Sequence, residues 1–289
     1  MNISEALSWA KNELRQAEVE GPEASAEFLL RKILKVEKTH LITHPEQELT
    51  DGQLEIYKKW IERRSKHEPV WYITGSIEFL GLEFVVNENV LIPRPETELM
   101  IEKITEHFRD GFAPKSVLDV GTGSGVIILS LANILMSRAS TDCDAKFFAS
   151  DISKEALAVA VKNSKNLGFS DLVDFRQGDL FEPWKGMKFD LIVTNLPYIP
   201  HEDMQTLALD LVHHEPRTAL DGGHEGLEIY QRFIDEVGSY LNPGGKIFCE
   251  IGYDQGDKIK RLLLNIMPQA KVTVLGDYAD IDRIVMIER

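Results

Sequence analysis

Cysteine is scarce: only Cys143 and Cys249 occur in 289 residues. No Cys-x-x-Cys pair is present, so neither a disulfide framework nor a paired-cysteine zinc site has ligands to build on. That usage suits a reducing compartment. Basic residues are also in short supply, with 32 Lys and Arg against 47 Asp and Glu, a formal charge of −15. Phosphate contacts need Lys and Arg, so tight sequence-independent binding to DNA or RNA is disfavoured. A basic protein partner suits such a charge better, although plain solubility accounts for it too. Long apolar runs are missing. Val126 to Leu135, among the longest, falls short of a membrane span, and the residues from Met1 to Ala6 have neither the basic end nor the apolar core of a signal peptide. Together these point to a cytoplasmic protein without membrane contact. Internal repeats and low-complexity tracts are absent, which leaves no solenoid or disordered-tail reading.

What the chain does have is enough apolar content, 43% with 27% charged, for a sizeable core and two domains. Apolar residues recur three or four apart in Ala6, Leu7, Ala10 and Leu14 and again in Phe28, Leu29, Ile33 and Leu34. Asp51 is placed to cap a further helix carrying Leu54, Ile56, Tyr57, Trp60 and Ile61. Residues 1–69 are therefore expected to form a small N-terminal helical-bundle domain. Between 70 and 93 the signal turns β-rich, in Trp71 to Thr74 and Leu82 to Val86, punctuated by Gly75, Gly81 and Asn87, which suggests a linking β-hairpin. Across 94–289, strand-like runs from Ser116, Lys146, Val173, Phe189 and Lys246 alternate with helical segments. Lys271 to Leu275 and Arg283 to Ile287 would bring the strands to seven. Such alternation predicts an α/β domain, a mostly parallel sheet covered by helices on both faces.

Directly after the first of these strands stand Gly121, Thr122, Gly123, Ser124 and Gly125, followed by an apolar helix from Val126. Glycines let such a turn tighten and let a ligand approach the backbone at the helix N-terminus. A nucleotide-phosphate loop would require Gly-Lys-Ser or Gly-Lys-Thr, and the dinucleotide fingerprint a glycine or alanine where Val126 stands. With both phosphate readings weakened, the turn resembles motif I of class I methyltransferases, a Rossmann-like class, whose loop receives the methionine part of S-adenosylmethionine. The next strand ends in Asp151, where a carboxylate can accept both ribose hydroxyl hydrogens; capping the helix that starts near Ser153 is its other reading. Asp179 and Leu180 follow the third strand, and the resemblance places them against the adenine.

The fourth strand ends in Asn195, Leu196, Pro197 and Tyr198, at the carboxyl edge where open α/β sheets bind ligands. This run resembles the Asn-Pro-Pro-Tyr signature of methyltransferases that modify planar, amide-like nitrogens, with Leu196 in place of the first proline. An amide nitrogen delocalises its lone pair and attacks a sulfonium methyl poorly, so positioning must carry much of the catalysis. If the Asn195 side-chain oxygen and the Leu196 carbonyl accept the two N–H groups, the nitrogen is held in line and its developing charge is stabilised. Tyr198 would pack on the planar acceptor, and Pro197 biases Leu196 to an extended conformation. A strand-ending turn, with Asn and Pro as punctuation, is the plainer reading.

Three further stretches resemble the bacterial peptide chain release factor glutamine methyltransferases, and the likeness runs over nearly the whole chain. They are Glu68 to Gly75 continuing to Gly81, Val90 to Glu98 with its Ile-Pro-Arg-Pro-Glu-Thr-Glu run, and Glu215 to Gly223 with Gly226 and Leu227. The turn from Leu241 to Gly245 and the run from Glu250 to Gln255 also fit. The resemblance implies methylation of the glutamine N5 in the Gly-Gly-Gln loop of class I release factors, with S-adenosylmethionine as donor, S-adenosylhomocysteine as product and the helical domain helping to hold the factor. Pro93 and Pro95 would stiffen a segment entering a helix from Glu96 to Phe108, with Glu96 and Glu98 suiting its positive N-terminal end. Ribosomal-protein glutamine methylation and nucleic-acid amino methylation share the Asn195 chemistry; a NAD-dependent oxidoreductase lacks an obvious hydride-transfer constellation. A non-catalytic S-adenosylmethionine-binding module is the alternative of a different class. The neighbouring His213 and His214 receive no role, and no metal site is expected.

Overall fold

Asn2 starts the first helix, α1 (Ile3–Gln16), through a capping box in which its side chain accepts from the Glu5 amide while Glu5 reaches back to the Asn2 amide. The computed structural model describes residues 1–138 and 144–289, so Cys143 lies outside the described residues. α2 (Pro22–Leu34), α3 (Lys38–Thr43) and α4 (Asp51–Arg64) follow. The cap of α4 is Thr50, one residue before the expected Asp51, because Thr50 and Gln53 form a second capping box and Asp51 falls in the first turn. Ile3, Ala6, Ala10 and Leu14 form one face of α1 and are buried in one core with Leu29, Leu30, Tyr57 and Ile61.

α5 (Val70–Thr74) corrects an expectation: Trp71 to Thr74 is helical, not a strand. Tertiary packing overrides the β-propensity of these residues. Trp71 packs edge-on against Phe28 with ring centroids 4.5 Å apart, Ile73 enters the helical core, and Gly75 at φ 78° ends the turn. The chain forms two units, residues 1–76 with 208–214 and residues 77–207 with 215–289. The short helix that interrupts the second stretch therefore groups with the helical unit. There, buried Arg64 bonds Ser25 Oγ, the carbonyls of Glu20 and Glu68, and Asp210 Oδ2 at 2.7 Å; His214 Nε2 lies 3.0 Å from the Lys66 carbonyl.

The larger unit opens with a hairpin of β1 (Ser76–Phe79) and β2 (Leu82–Val85), whose turn residues Leu80 and Gly81 both have positive φ. α6 (Pro95–Arg109) begins on a proline with Glu96 and Glu98 in its first turn; Glu98 accepts from the Leu80 amide at 3.0 Å. Then come β3 (Ser116–Val120), α7 (Val126–Arg138), β4 (Lys146–Asp151), α8 (Lys154–Asn166), β5 (Val173–Gln177) and β6 (Phe189–Thr194). After α9 (Leu209–His214), α10 (Glu228–Tyr240), β7 (Leu241–Glu250), α11 (Gly256–Ile266), β8 (Lys271–Gly276) and β9 (Asp282–Glu288) complete the chain.

The seven strands lie in the order β5-β4-β3-β6-β7-β9-β8, and only β9 runs against its neighbours. Successive strands run outward from β3 in opposite directions, through β4 to β5 and through β6 to β7. The chain thus has a topological switch point between β3 and β6, and ligands of open α/β sheets bind outside the carboxyl ends of strands at such a point. Every residue from Val126 to Ala132 of α7 is buried, the pattern of a helix covered on all sides.

Candidate functional site

A cleft of about 310 Å³ opens at this switch point. Gly121, Thr122, Gly123 and Ser124, after β3, line one wall with Asp151, Ile152 and Ser153, which follow or end β4. Asp179 and Leu180, after β5, and Asn195, Leu196 and Pro197, after β6, complete the set that the sequence singled out. Gly125 and Tyr198 are the two exceptions: neither lines the cleft. Gly125, at φ 81°, sits against Ala160, where a Cβ would come within 3.2 Å of that side chain; it lets α7 approach α8. Tyr198 is turned inward, its hydroxyl 3.4 Å from Glu250 Oε1, so packing on an acceptor is not where its ring stands.

The glycine turn is tied down largely by its own neighbours. The Gly121 and Thr122 amides both donate to the Ser150 carbonyl at 2.9 Å, and the Gly125 amide donates to the Thr122 carbonyl at 2.8 Å. Gly123 donates to Asp151 Oδ2 at 2.8 Å, while Asp151 Oδ1 accepts from the Ser153 amide at 2.9 Å. Burial raises the Asp151 carboxyl from its ordinary range, and these backbone N–H groups oppose that rise. Each carboxylate oxygen keeps a further lone pair, so Asp151 can still accept from a diol. Deeper in, Asp119 is fully buried and pushed up to about 7 by that burial; Thr122 Oγ1, which donates to its Oδ2 at 2.7 Å, and the Ile128 backbone amide oppose the rise.

At the other end, the strap from Asn89 to Pro93 and the segment from Pro216 to Ala219 supply largely apolar walls. Glu215 joins them: one oxygen accepts from the Ile92 amide at 3.1 Å and the other pairs with Arg94. Behind Asn195 lies Glu250, pushed up to about 7 by burial, with Glu96 adding to the rise and hydrogen bonds from Thr97, Asn195 and Tyr198 opposing it. Gly222 and Gly226 let a loop press on the backbone of Pro197 and Tyr198; a Cβ on Gly222 would come within 2.7 Å of the Pro197 carbonyl oxygen. Gln255 Nε2 donates to the Tyr198 carbonyl at 2.9 Å.

Sequence reasoning missed Thr97, Arg232 and the roles of Glu215 and Glu250. Thr97 and Glu215 sat inside runs already noted, but nothing local says which distant group each meets. Arg232, on α10, carried no signal; it pairs with Asp179 at the cleft wall.

This donor set fits S-adenosylmethionine. Among the described residues lining the cleft Arg232 is the single basic one, and it is already paired, whereas Asp151, Asp179 and Asp221 are acidic. The cleft thus suits a cation with hydroxyls and no phosphate. Among the described residues no helix is long and apolar enough to cross a membrane, and no cluster of three or more metal-ligating side chains occurs.

The family described as the PrmC N-terminal domain matches residues 5–75, and a methyltransferase domain matches 113–263. A release factor glutamine methyltransferase of Bacillus cereus is 38% identical, covering 100% of this chain and 99% of that protein. One from Bacillus subtilis is 39% identical, covering 98% and 96%. Among solved structures, the hMettl16 catalytic domain shares the fold, with a TM-score of 0.53 and 17% identity over 91% of this chain and 90% of that one. This chain is an S-adenosylmethionine-dependent methyltransferase and belongs to the release factor glutamine methyltransferase family.

Proposed function

We propose that this protein methylates the side-chain amide nitrogen, N5, of the glutamine in the Gly-Gly-Gln loop of class I peptide chain release factors. The observation that carries the reading is that Asn195, Leu196 and Pro197 share one cleft with Asp151 and the glycine turn. S-adenosylmethionine supplies an electrophilic methyl group and leaves as S-adenosylhomocysteine. Gly121 to Ser124 would cradle its methionine part from the wall of the cleft, with Gly125 keeping that turn against α8. Asp151 would hold the ribose, and Leu180 with Asp179 would meet the adenine.

At the acceptor end, Asn195 Oδ1 and the Leu196 carbonyl accept the two amide hydrogens of the glutamine. That fixes the nitrogen for in-line attack and stabilises its developing positive charge. Pro197 restricts Leu196 to the extended backbone this requires. Tyr198 contributes from behind, by its hydroxyl, rather than by stacking. No strong base is needed, because the nitrogen proton becomes acidic once the methyl has transferred. The strap from Asn89 to Pro93 and the segment from Pro216 to Ala219 shape a slot for a narrow, glycine-rich loop. The helical unit is proposed to hold the body of the factor, in the cytoplasm where translation termination takes place.

Incubation with radiolabelled S-adenosylmethionine and purified release factor tests this directly. Label confined to the loop glutamine, and lost in a Gln→Ala factor, is expected. Label on DNA or on a ribosomal protein, with none on the factor, would replace the substrate while leaving the fold and cofactor in place.

A further inference from the structure

We propose that Glu250, at the end of β7, is the positioning residue that aims both acceptor groups of the site: the Asn195 side chain through Thr97, and the Leu196 main chain through Tyr230. This rests on the acceptor role given above to Asn195 and Leu196.

Glu250 is buried and does not line the cleft. Its Oε2 accepts from the Thr97 hydroxyl at 2.6 Å. An ionised carboxylate can only accept, so it commits the single Thr97 proton and leaves Thr97 Oγ1 as an acceptor. That oxygen receives the Asn195 Nδ2 group at 3.4 Å, and Asn195 also donates toward the Glu250 carboxylate itself, which holds the amide nitrogen inward by the same logic. The two ends of a side-chain amide are chemically opposite, and anchoring the nitrogen inward turns Oδ1 outward, where the substrate amide must donate. Reversed, Asn195 would present N–H groups to N–H groups and repel the glutamine it should hold. The second carboxylate oxygen, Oε1, accepts from the Tyr198 hydroxyl at 3.4 Å.

The main chain of the same residue holds the other acceptor. The Glu250 carbonyl accepts from the Tyr230 hydroxyl, whose oxygen in turn receives the Leu196 amide at 3.4 Å. Tyr230 is fully buried, and Leu196 carries an N–H that would otherwise need a partner inside the loop. With its amide tied and Pro197 behind it, Leu196 has little freedom to swing its carbonyl. A buried carboxylate is costly to maintain and an apolar residue would pack here more cheaply, which argues for its use in aiming rather than in stability.

The test uses the full chain, above the pH range in which Glu250 titrates. Thr97→Val keeps the side-chain shape and removes the hydroxyl; Thr97→Ser keeps the hydroxyl. In Thr97→Val, kcat for the release factor is expected to fall about 10- to 100-fold, with melting temperature and S-adenosylhomocysteine affinity retained. Thr97→Ser is expected to recover kcat. Equal kcat in the two variants, whether high or low, overturns the Thr97 link. Glu250→Gln, whose amide can donate to Thr97 and reverse the chain, is expected to lose kcat as Thr97→Val does; wild-type kcat in it overturns the proposal. Tyr230→Phe at wild-type kcat overturns the Leu196 half. A second readout needs no methyl transfer. The Asn195 side-chain amide protons, assigned by their loss in Asn195→Ala, should exchange slowly with solvent in the wild type and Thr97→Ser and rapidly in Thr97→Val. Rapid exchange in the wild type sinks the arrangement. A wild type that methylates no release factor sinks the substrate reading alone.

Discussion

The two ends of the cleft are built from residues at very different separations along the chain. At the cofactor end the partners are near in sequence or on adjacent strands: Thr122 bonds Asp119, Gly125 bonds Thr122, and Gly123 meets Asp151 across the β3–β4 pair. At the acceptor end Asn195 is held by Thr97, 98 positions away, and Glu250 lies 153 positions from Thr97. A short motif can encode the first kind of site by itself. The second kind exists only once the sheet has assembled.

The sharpest way to separate the ends is Asn195→Ala. Turnover should drop about 10²- to 10³-fold, the usual cost of one transition-state acceptor or donor, while calorimetry finds S-adenosylmethionine affinity unchanged. Unchanged turnover would remove Asn195 from the acceptor site. Asp151→Ala is the converse. Losing hydrogen bonds to a charged group, worth about 1.5–3 kcal/mol, should weaken cofactor binding roughly 10- to 100-fold, with turnover near normal at saturating cofactor. Wild-type affinity by calorimetry would take Asp151 out of the site.

Gly226→Ala tests the brace behind the acceptor loop. Gly226 has φ 67°, and its Cβ would overlap the Tyr198 carbonyl oxygen. A thermal melt should show about 1–3 kcal/mol of lost stability, and a mutant as stable as the parent would mean the loop relaxes freely. Arg232→Ala should do least. The Arg232 side chain is 50% and the Asp179 side chain 41% exposed, and pairs of that kind contribute about 0–1 kcal/mol, so cofactor affinity should stay within a few-fold. A large loss would make Arg232 a ligand-binding group in its own right.

The same division governs what the sequence could tell. The strand-helix alternation foretold the sheet because buried parallel strands are dominated by apolar residues, and the glycine turn was readable because φ values of 74° and 55° at Gly121 and Gly123 demand that residue. Trp71 to Thr74 misled because aromatic and β-branched residues suit a strand or a packed helix equally, and only contact with Phe28 and the helical core decides between them. Tyr198 was read as a stacking surface, yet its direction depends on Glu250, which sequence spacing does not reveal. Glu215 looked like part of a pattern, while its partners Ile92 and Arg94 lie more than 120 positions earlier.

Arg64 gives this separation a meaning in time. Its side chain is 5% exposed and its guanidinium is ion-paired with Asp210, 146 residues later in the chain. As the polypeptide emerges from a ribosome at about 5–20 residues per second, the helical unit waits roughly 7–30 s for the carboxylate that neutralises its interior charge. The first segment to be made is thus among the last to be finished. Nascent chains halted before Asp210 should present a loosened, protease-sensitive N-terminus, even though α1 to α5 have already been translated.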